Sequence, residues 1–254
     1  MRTVDFSTIL FQTMQLCGLD RDDFNDFTFG QLRDLASSRL RTAWEYDRWP
    51  ELVKIEKVNT TDTDGTVFFD IPDTYGEIFT IYTADPSATT RGLVVGFDIQ
   101  PTSGGNRCVL SRRLEEVWVE YRTIPPSLTG LPYNNEVQYY PGAQIYFDSG
   151  SNTGSFFPSI GKPYYGNFYV CKQQATNVNP NSPEGSAVWE KVKIPYIFAN
   201  YLARAINADY LRSEGMQEMA AQAEGDATAF LMFEIDKVGR QQGISRKINF
   251  INPY

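Results

Sequence analysis

The chain has 254 residues, 42% hydrophobic and 21% charged, enough for one large domain or two small ones whose core needs no staples. It contains no histidine, which removes the commonest general base, zinc ligand and pH switch together, and its net charge of −8 argues against a broad basic face for gripping nucleic acid, though not against a wall past which DNA slides. Three well-separated cysteines, Cys17, Cys108 and Cys171, form no C-x-x-C pair and read as reduced thiols acting as small apolar residues.

Apolar residues at Phe6, Ile9, Leu10, Leu16 and Cys17, closed by Gly18, predict a short amphipathic helix with a left-handed cap. The acidic run Asp20, Asp22, Asp23 and Asp26 is interrupted by Arg21 and lacks the glycine and closing glutamate of a calcium loop, so it reads as a solvated loop. A second helix is expected from Thr28, which stands in capping-box spacing with Gln31. Leu32, Leu35, Ala36, Leu40, Ala43 and Trp44 trace its face until Pro50 stops the pattern.

From Glu51 the period changes to short β-branched and aromatic runs: Val53 to Val58, Val67 to Ile71, Ile78 to Tyr82 and Val117 to Arg122. They are separated by turn signals such as Asp64-Gly65 and Asp85-Pro86. The Pro125-Pro126 pair ends the last of these, because proline cannot donate to a ladder. Further strands are expected at Gln144 to Phe147, Phe168 to Lys172 and Val188 to Val192. Arg107, Arg112 and Arg113 read as ordinary surface residues of a hairpin, and Gly104-Gly105 as its turn.

At Pro195, placed in a first turn, the chain returns to helix. Ile194, Ile197, Phe198, Tyr201, Leu202, Ala205 and Ile206 form one stripe, and after Gly215 a second runs from Met216, Met219, Ala220 and Ala223 to Ala227, Phe230, Leu231, Ile235 and Val238. The expected fold is α+β: a four-helix bundle made by residues 1–50 and 194–238 with a large inserted β region. That insertion divides into a β region at 51–135 and a small aromatic β module at 136–193. Residues 239–254 carry no acidic side chain and are expected as an extended tail. Its Ile244, Arg246, Lys247, Ile248, Phe250, Ile251 and Tyr254 would bind a partner by strand addition or groove filling.

No phosphate-cradling glycine motif and no G-x-S-x-G occurs, so catalytic, cofactor-binding and metal sites are all assigned none. The N-terminus shows no basic and apolar signal pattern and no apolar run spans about 18 residues, so secretion and membrane insertion are not expected.

Three pieces in order carry a resemblance: Leu40-Arg41-Thr42-Ala43-Trp44 with Arg48-Trp49-Pro50, then Val117-Trp118-Val119-Glu120-Tyr121-Arg122 before Pro125-Pro126, then Ile194-Pro195-Tyr196-Ile197 ahead of Ala-rich helices. In this the chain resembles the head-to-tail adaptors of tailed bacteriophages, the neck or tail tubular A proteins that form rings beneath the portal. The resemblance implies a virion structural protein with no enzyme activity. It would be located in the neck between capsid and tail, after assembly in the host bacterial cytoplasm. Its partners would be the portal protein, other neck or tail proteins and itself, as a homo-oligomeric ring of twelve copies through which DNA passes.

Tyr139 to Phe147, Gly166 to Lys172 and Val188-Trp189-Glu190-Lys191-Val192 further resemble the small aromatic modules of the chitin-binding type. That resemblance implies Tyr146, Tyr169 and Trp189 as possible sugar-stacking residues, against the alternative that they fill a small core. The competing functions are therefore a carbohydrate- or receptor-binding tail component, or a histidine-free glycosidase using two of the 31 acidic side chains.

Overall fold

A computed structural model describes residues 2–20, 25–88, 93–148 and 166–248, with side chains as far as residue 240. The protein is α+β, with helices at both ends of the chain and several sheets between. It divides into a unit formed by Met1–Asp47 with Pro126–Tyr254, and a second formed by Arg48–Pro125.

In the first unit, β1 (Thr3–Val4) precedes α1 (Phe6–Cys17) and α2 (Asp26–Tyr46). Gly18 closes α1 at φ 67°, and Gly18 and Leu19 donate back to Gln15 and Met14, the left-handed cap foreseen from the glycine. The start of α2 differs from expectation. Its cap is Asn25, whose side chain accepts from the amides of Phe27 and Thr28, so Thr28 lies inside the first turn. The carboxamide satisfies two amides that helix geometry leaves without partners, which Thr28 three residues later would not reach. Of the acidic run, Asp22 and Asp23 lie outside the described residues.

The second unit holds β2 (Val53–Asn59), β3 (Thr61–Thr63), β4 (Thr66–Asp70), β5 (Tyr75–Tyr82), β6 (Val94–Val95), β7 (Phe97–Thr102), β8 (Gly105–Leu110) and β9 (Glu116–Thr123). They form two antiparallel sheets, ordered β2-β9-β5-β6 and β3-β4-β8-β7. β2 passes into β3 at Thr60 and β6 into β7 at Gly96, so single runs of chain cross from one sheet to the other. Asp64 and Gly65 both take positive φ, 52° and 84°, as a two-residue hairpin of twisted strands requires. Val67, Phe69, Ile81, Cys108, Val117 and Val119 fill the space between the sheets.

Chain returning to the first unit forms β10 (Leu131–Pro132), β11 (Gln138–Tyr139), β12 (Gln144–Asp148), β13 (Gly166–Cys171), β14 (Ala175–Thr176), the single-turn α3 (Gly185–Val188), β15 (Trp189–Lys191) and β16 (Ile194–Pro195). Then come a 3-10 turn at Tyr196–Phe198, α4 (Ala199–Ser213) and α5 (Gln217–Ile248). Pro195 sits in β16, paired with β1, ahead of the helix and not in its first turn. The sheet order is β10-β12-β13-β15, and Gly130 permits the parallel approach of β10, because a Cβ there would meet the Ile145 backbone at 2.6 Å.

Three expectations are corrected here. The excursion is Arg48–Pro125, not 51–193: strands after Pro126 group with the helices because Tyr146 and Phe168 bury their rings against Phe6 of α1 and Phe29 of α2. For the same reason 136–193 is not a separate module. The chain from 239 to 248 is helical, not an extended tail; Gly239 and Gly243 each cost roughly 1 kcal/mol in a helix, and Gln241, Gln242, Arg246 and Lys247 are good helix formers.

α4 is packed by α1, α2 and α5, with Trp44 near Phe198 and the Thr13 hydroxyl donating to the carbonyls of Ile9 and Ala203. Arg39 of α2 clasps two carboxylates at once, Asp209 of α4 at 2.5 Å and Glu224 of α5 at 2.6 Å, and Arg212 donates to the same pair. Burial raises the Glu224 carboxyl, but the hydrogen bonds and charges of Arg39 and Arg212 outweigh it and hold the group below its ordinary 4.5. A carboxylate depressed in the folded state adds stability above its unfolded value and loses it as pH falls through the folded one. Arg39→Met is therefore expected to cost about 2–3 kcal/mol at neutral pH, since the pair is part-exposed and worth less than a fully buried one. Urea unfolding should show that deficit shrinking as pH is lowered below the ordinary glutamate value. A deficit that holds constant with pH would remove Glu224 from the clasp.

Candidate interaction surfaces

The three aromatic residues weighed between sugar stacking and a small core do not share a surface. Alternation along β12 sends Tyr146 to one face, where it meets Phe29 at 4.7 Å and Phe168 at 5.3 Å, and sends Ile145 and Phe147 to the other. Trp189 belongs to that second face, edge-on to Tyr133 and Tyr139, with its indole N–H donating to the Val178 carbonyl at 2.8 Å. Trp189 is 4% exposed and Tyr146 2%, so neither offers a ring to a ligand. Tyr169 is half-buried, its hydroxyl raised first by burial and then by the nearby Asp5 carboxylate. Of the two roles weighed for these residues, Tyr146 and Trp189 take the core one, because a sheet covered on both faces spends its aromatics on two cores.

The three central arginines are dispersed. Arg107 lies over the Phe68 ring at 3.6 Å and pairs with Asp70 across the strands at 3.0 Å, Arg113 faces Asp62 at 3.4 Å, and Arg112 is exposed. A buried carboxylate, Glu120 of β9, sits on the opposite side of its strand from Val119 and Tyr121, and takes hydrogen bonds from Arg48 and the Tyr82 hydroxyl. Arg48 also lies over Phe79 at 4.6 Å, so the charge is neutralised and supported on both sides. Burial drives the Cys108 thiol up to about 12, with Asp98 adding to it, and burial alone drives the Cys17 thiol up to about 12, so both stay protonated and unreactive at neutral pH.

Among the described residues no group of histidine, cysteine or carboxylate side chains is placed to hold a metal, and no helix is long and apolar enough to cross a membrane. Of the residues expected to bind a partner, Ile244, Arg246, Lys247 and Ile248 lie in the last turns of α5, while Phe250, Ile251 and Tyr254 lie outside the described residues.

Periodicity missed the character of α5. Its buried residues are Ala220, Ala227 and Leu231, whereas Met219 and Phe233 are half or more exposed and, among the described side chains beyond Leu231, none is buried. Treating Met219, Ala220, Ala223, Phe230 and Leu231 as a single face overlooked that adjacent helical positions lie about 100° apart, the equivalent of one residue in a 3.6-residue turn.

No family model matches the chain, and no curated protein matches it either.

Trp189→Ala is expected to lower stability by about 3–5 kcal/mol, the range for removing a large buried aromatic. Thermal melting together with retention on a chitin column reads this out. An unchanged melt with lost retention would place the indole on a binding surface.

Proposed function

We propose that the chain is a head-to-tail adaptor of a tailed bacteriophage, a neck-ring subunit that joins portal to tail and lines part of the DNA conduit without chemistry of its own. The observation that carries this reading is the order of elements: two opening helices, a β excursion that leaves after Asp47 and rejoins at Pro126, a further set of strands packed on the helices, then the two closing helices α4 and α5. The helices around α4 act as the bundle that docks on the portal, and the β excursion is the part presented to the tail. Closed rings follow when head-to-tail contacts between identical subunits close, and a ring of twelve is what the resemblance implies. The bore is read as acidic, in keeping with the net charge of −8, so that phosphates are repelled and DNA slides. Burial of Trp189 and Tyr146 gives the sugar-binding alternative no support.

The distal part of α5, with Arg246 and Lys247 in its sequence and no acidic residue after Asp236, is assigned to the portal contact. Ending the chain after Gly243 is expected to leave melting nearly unchanged, because no described side chain beyond Leu231 is buried. Electron micrographs of particles assembled with the truncated chain should show filled heads lacking tails. Infectious, tailed particles from the truncated chain would overturn the assignment of this segment. Normal tails in the complete absence of the protein would overturn the neck reading itself.

A further inference from the structure

α5 carries two seams. Ala220, Ala227 and Leu231 form the buried one, with Glu224 in the clasp along the same line. The second steps by four and three residues through Met219, Ala223, Asp226, Phe230, Phe233, Lys237 and Arg240, the 3.5-residue repeat of a coiled-coil seam, and Ile244 continues the spacing in the sequence. Met219 is 57% exposed and Phe233 50%, and Phe230 is half-covered by the Arg204 guanidinium at 4.6 Å. At about 1.5 Å per residue α5 is roughly 48 Å long and α4 roughly 22 Å, so α4 cannot accompany the distal half of its neighbour.

Charge along α5 is sorted by sign. Five carboxylates, Glu218, Glu224, Asp226, Glu234 and Asp236, all precede four cations, Lys237, Arg240, Arg246 and Lys247. The helix dipole rewards such sorting only within the first and last turns, a far shorter reach than 32 residues. A parallel partner would set like charge against like. An antiparallel one, turned about an axis midway between Phe230 and Phe233, sets Phe230 against Phe233, Asp226 against Lys237, Ala223 against Arg240 and Met219 against position 244, all in one register.

We propose that two copies of this chain pair through α5, antiparallel about that two-fold axis, along the seam from Met219 to Arg240. Each copy contributes the same patch, as an isologous contact requires. Within one chain Asp226 faces Arg204 at 3.6 Å and Lys237 bonds Glu234 at 2.6 Å. Both are part-exposed pairs of modest worth, so exchanging them for partners on the second copy costs little. Charged residues inside a seam weaken it and fix its register, which here is set by the two Asp226–Lys237 crossings. The pairing goes beyond the neck reading and does not depend on it, since a closed ring uses heterologous contacts.

Sedimentation equilibrium of the full chain at low salt, over a series of rising concentrations, tests this. Wild-type mass should climb toward twice the monomer value. Asp226→Lys alone and Lys237→Asp alone each oppose like charges at the crossings and should hold the chain at monomer mass. Combining the two restores the crossings with signs reversed and should recover pairing. Phe233→Glu, at a half-exposed position, should abolish pairing while far-ultraviolet circular dichroism stays unchanged. A wild-type mass that stays monomeric, single variants that pair like wild type, or a double variant that stays apart would each overturn the proposal. Masses rising past the dimer would overturn the two-fold geometry and leave the ring reading standing.

Discussion

Four rings hold the helical unit to its sheet: Phe6 of α1, Phe29 of α2, Tyr146 of β12 and Phe168 of β13, with centroids between 4.7 and 6.5 Å apart. All four are buried to within 2% exposure. Fully burying one such side chain contributes roughly 1.5–3 kcal/mol, and well-oriented pairs add about 0.5–1.5 kcal/mol beyond their area. Polar ties follow from this contact. Gly166 donates to the Ser7 hydroxyl at 3.0 Å and Lys191 pairs with Asp5, both at the end of α1 that the rings bring against β13. The excursion into Arg48–Pro125 is possible because the elements on either side of it are already fastened to one another by α1, α2, β12 and β13.

A different physics holds the far side of α4. Where α1 and α2 pack through rings and large aliphatics, α5 buries two alanines and one leucine and adds the ionic clasp of Arg39, Arg204 on Asp226 and Phe230, and the Tyr46 hydroxyl on the Met232 sulfur. Alanine methyls bring helices close but contribute only about 0.8 kcal/mol each on burial. The clasp compensates with bidentate, charge-assisted hydrogen bonds whose geometry fixes α5 against α2 and α4 at one register. A hydrophobic anchor of this size leaves the helix dependent on charge.

Much of the architecture is legible where local chemistry leaves one option. Gly18 needed a left-handed cap, Asp64-Gly65 a tight hairpin, and the alternation Val117, Val119, Tyr121 against Trp118, Glu120, Arg122 a strand with one core face. A hairpin turning at Gly104-Gly105 is legible too, and it is β7 and β8, though the sequence sets no bounds for the two strands. Asp98, Gln100, Pro101 and Arg107 dilute their apolar signal because β7 is an edge strand with most of its length in water. The choice between core and sugar platform was open in the sequence for a related reason. Nothing in the spacing of Tyr146 and Trp189 tells whether a sheet is covered on one face or two, and only packing against Phe6 and Phe29 settles it. Asn25 as a cap was hidden by Thr28, which satisfied a familiar spacing one turn too late.

The contrast between α4 and α5 bears on where an assembly interface can form. Eight residues of α4 are buried, among them Tyr201, Leu202 and Ile206, so disturbing it would open the core. α5 is held at one end by the clasp, and its described distal side chains, from Met232 to Arg240, have no buried member. Free energies of local opening fall toward such ends, and a partner that binds only the closed form stabilises it by mass action. An interface on α5 therefore does two things at once: it covers apolar side chains that one copy leaves in water, and it rigidifies the part of the helix beyond Leu231, where no described side chain is buried.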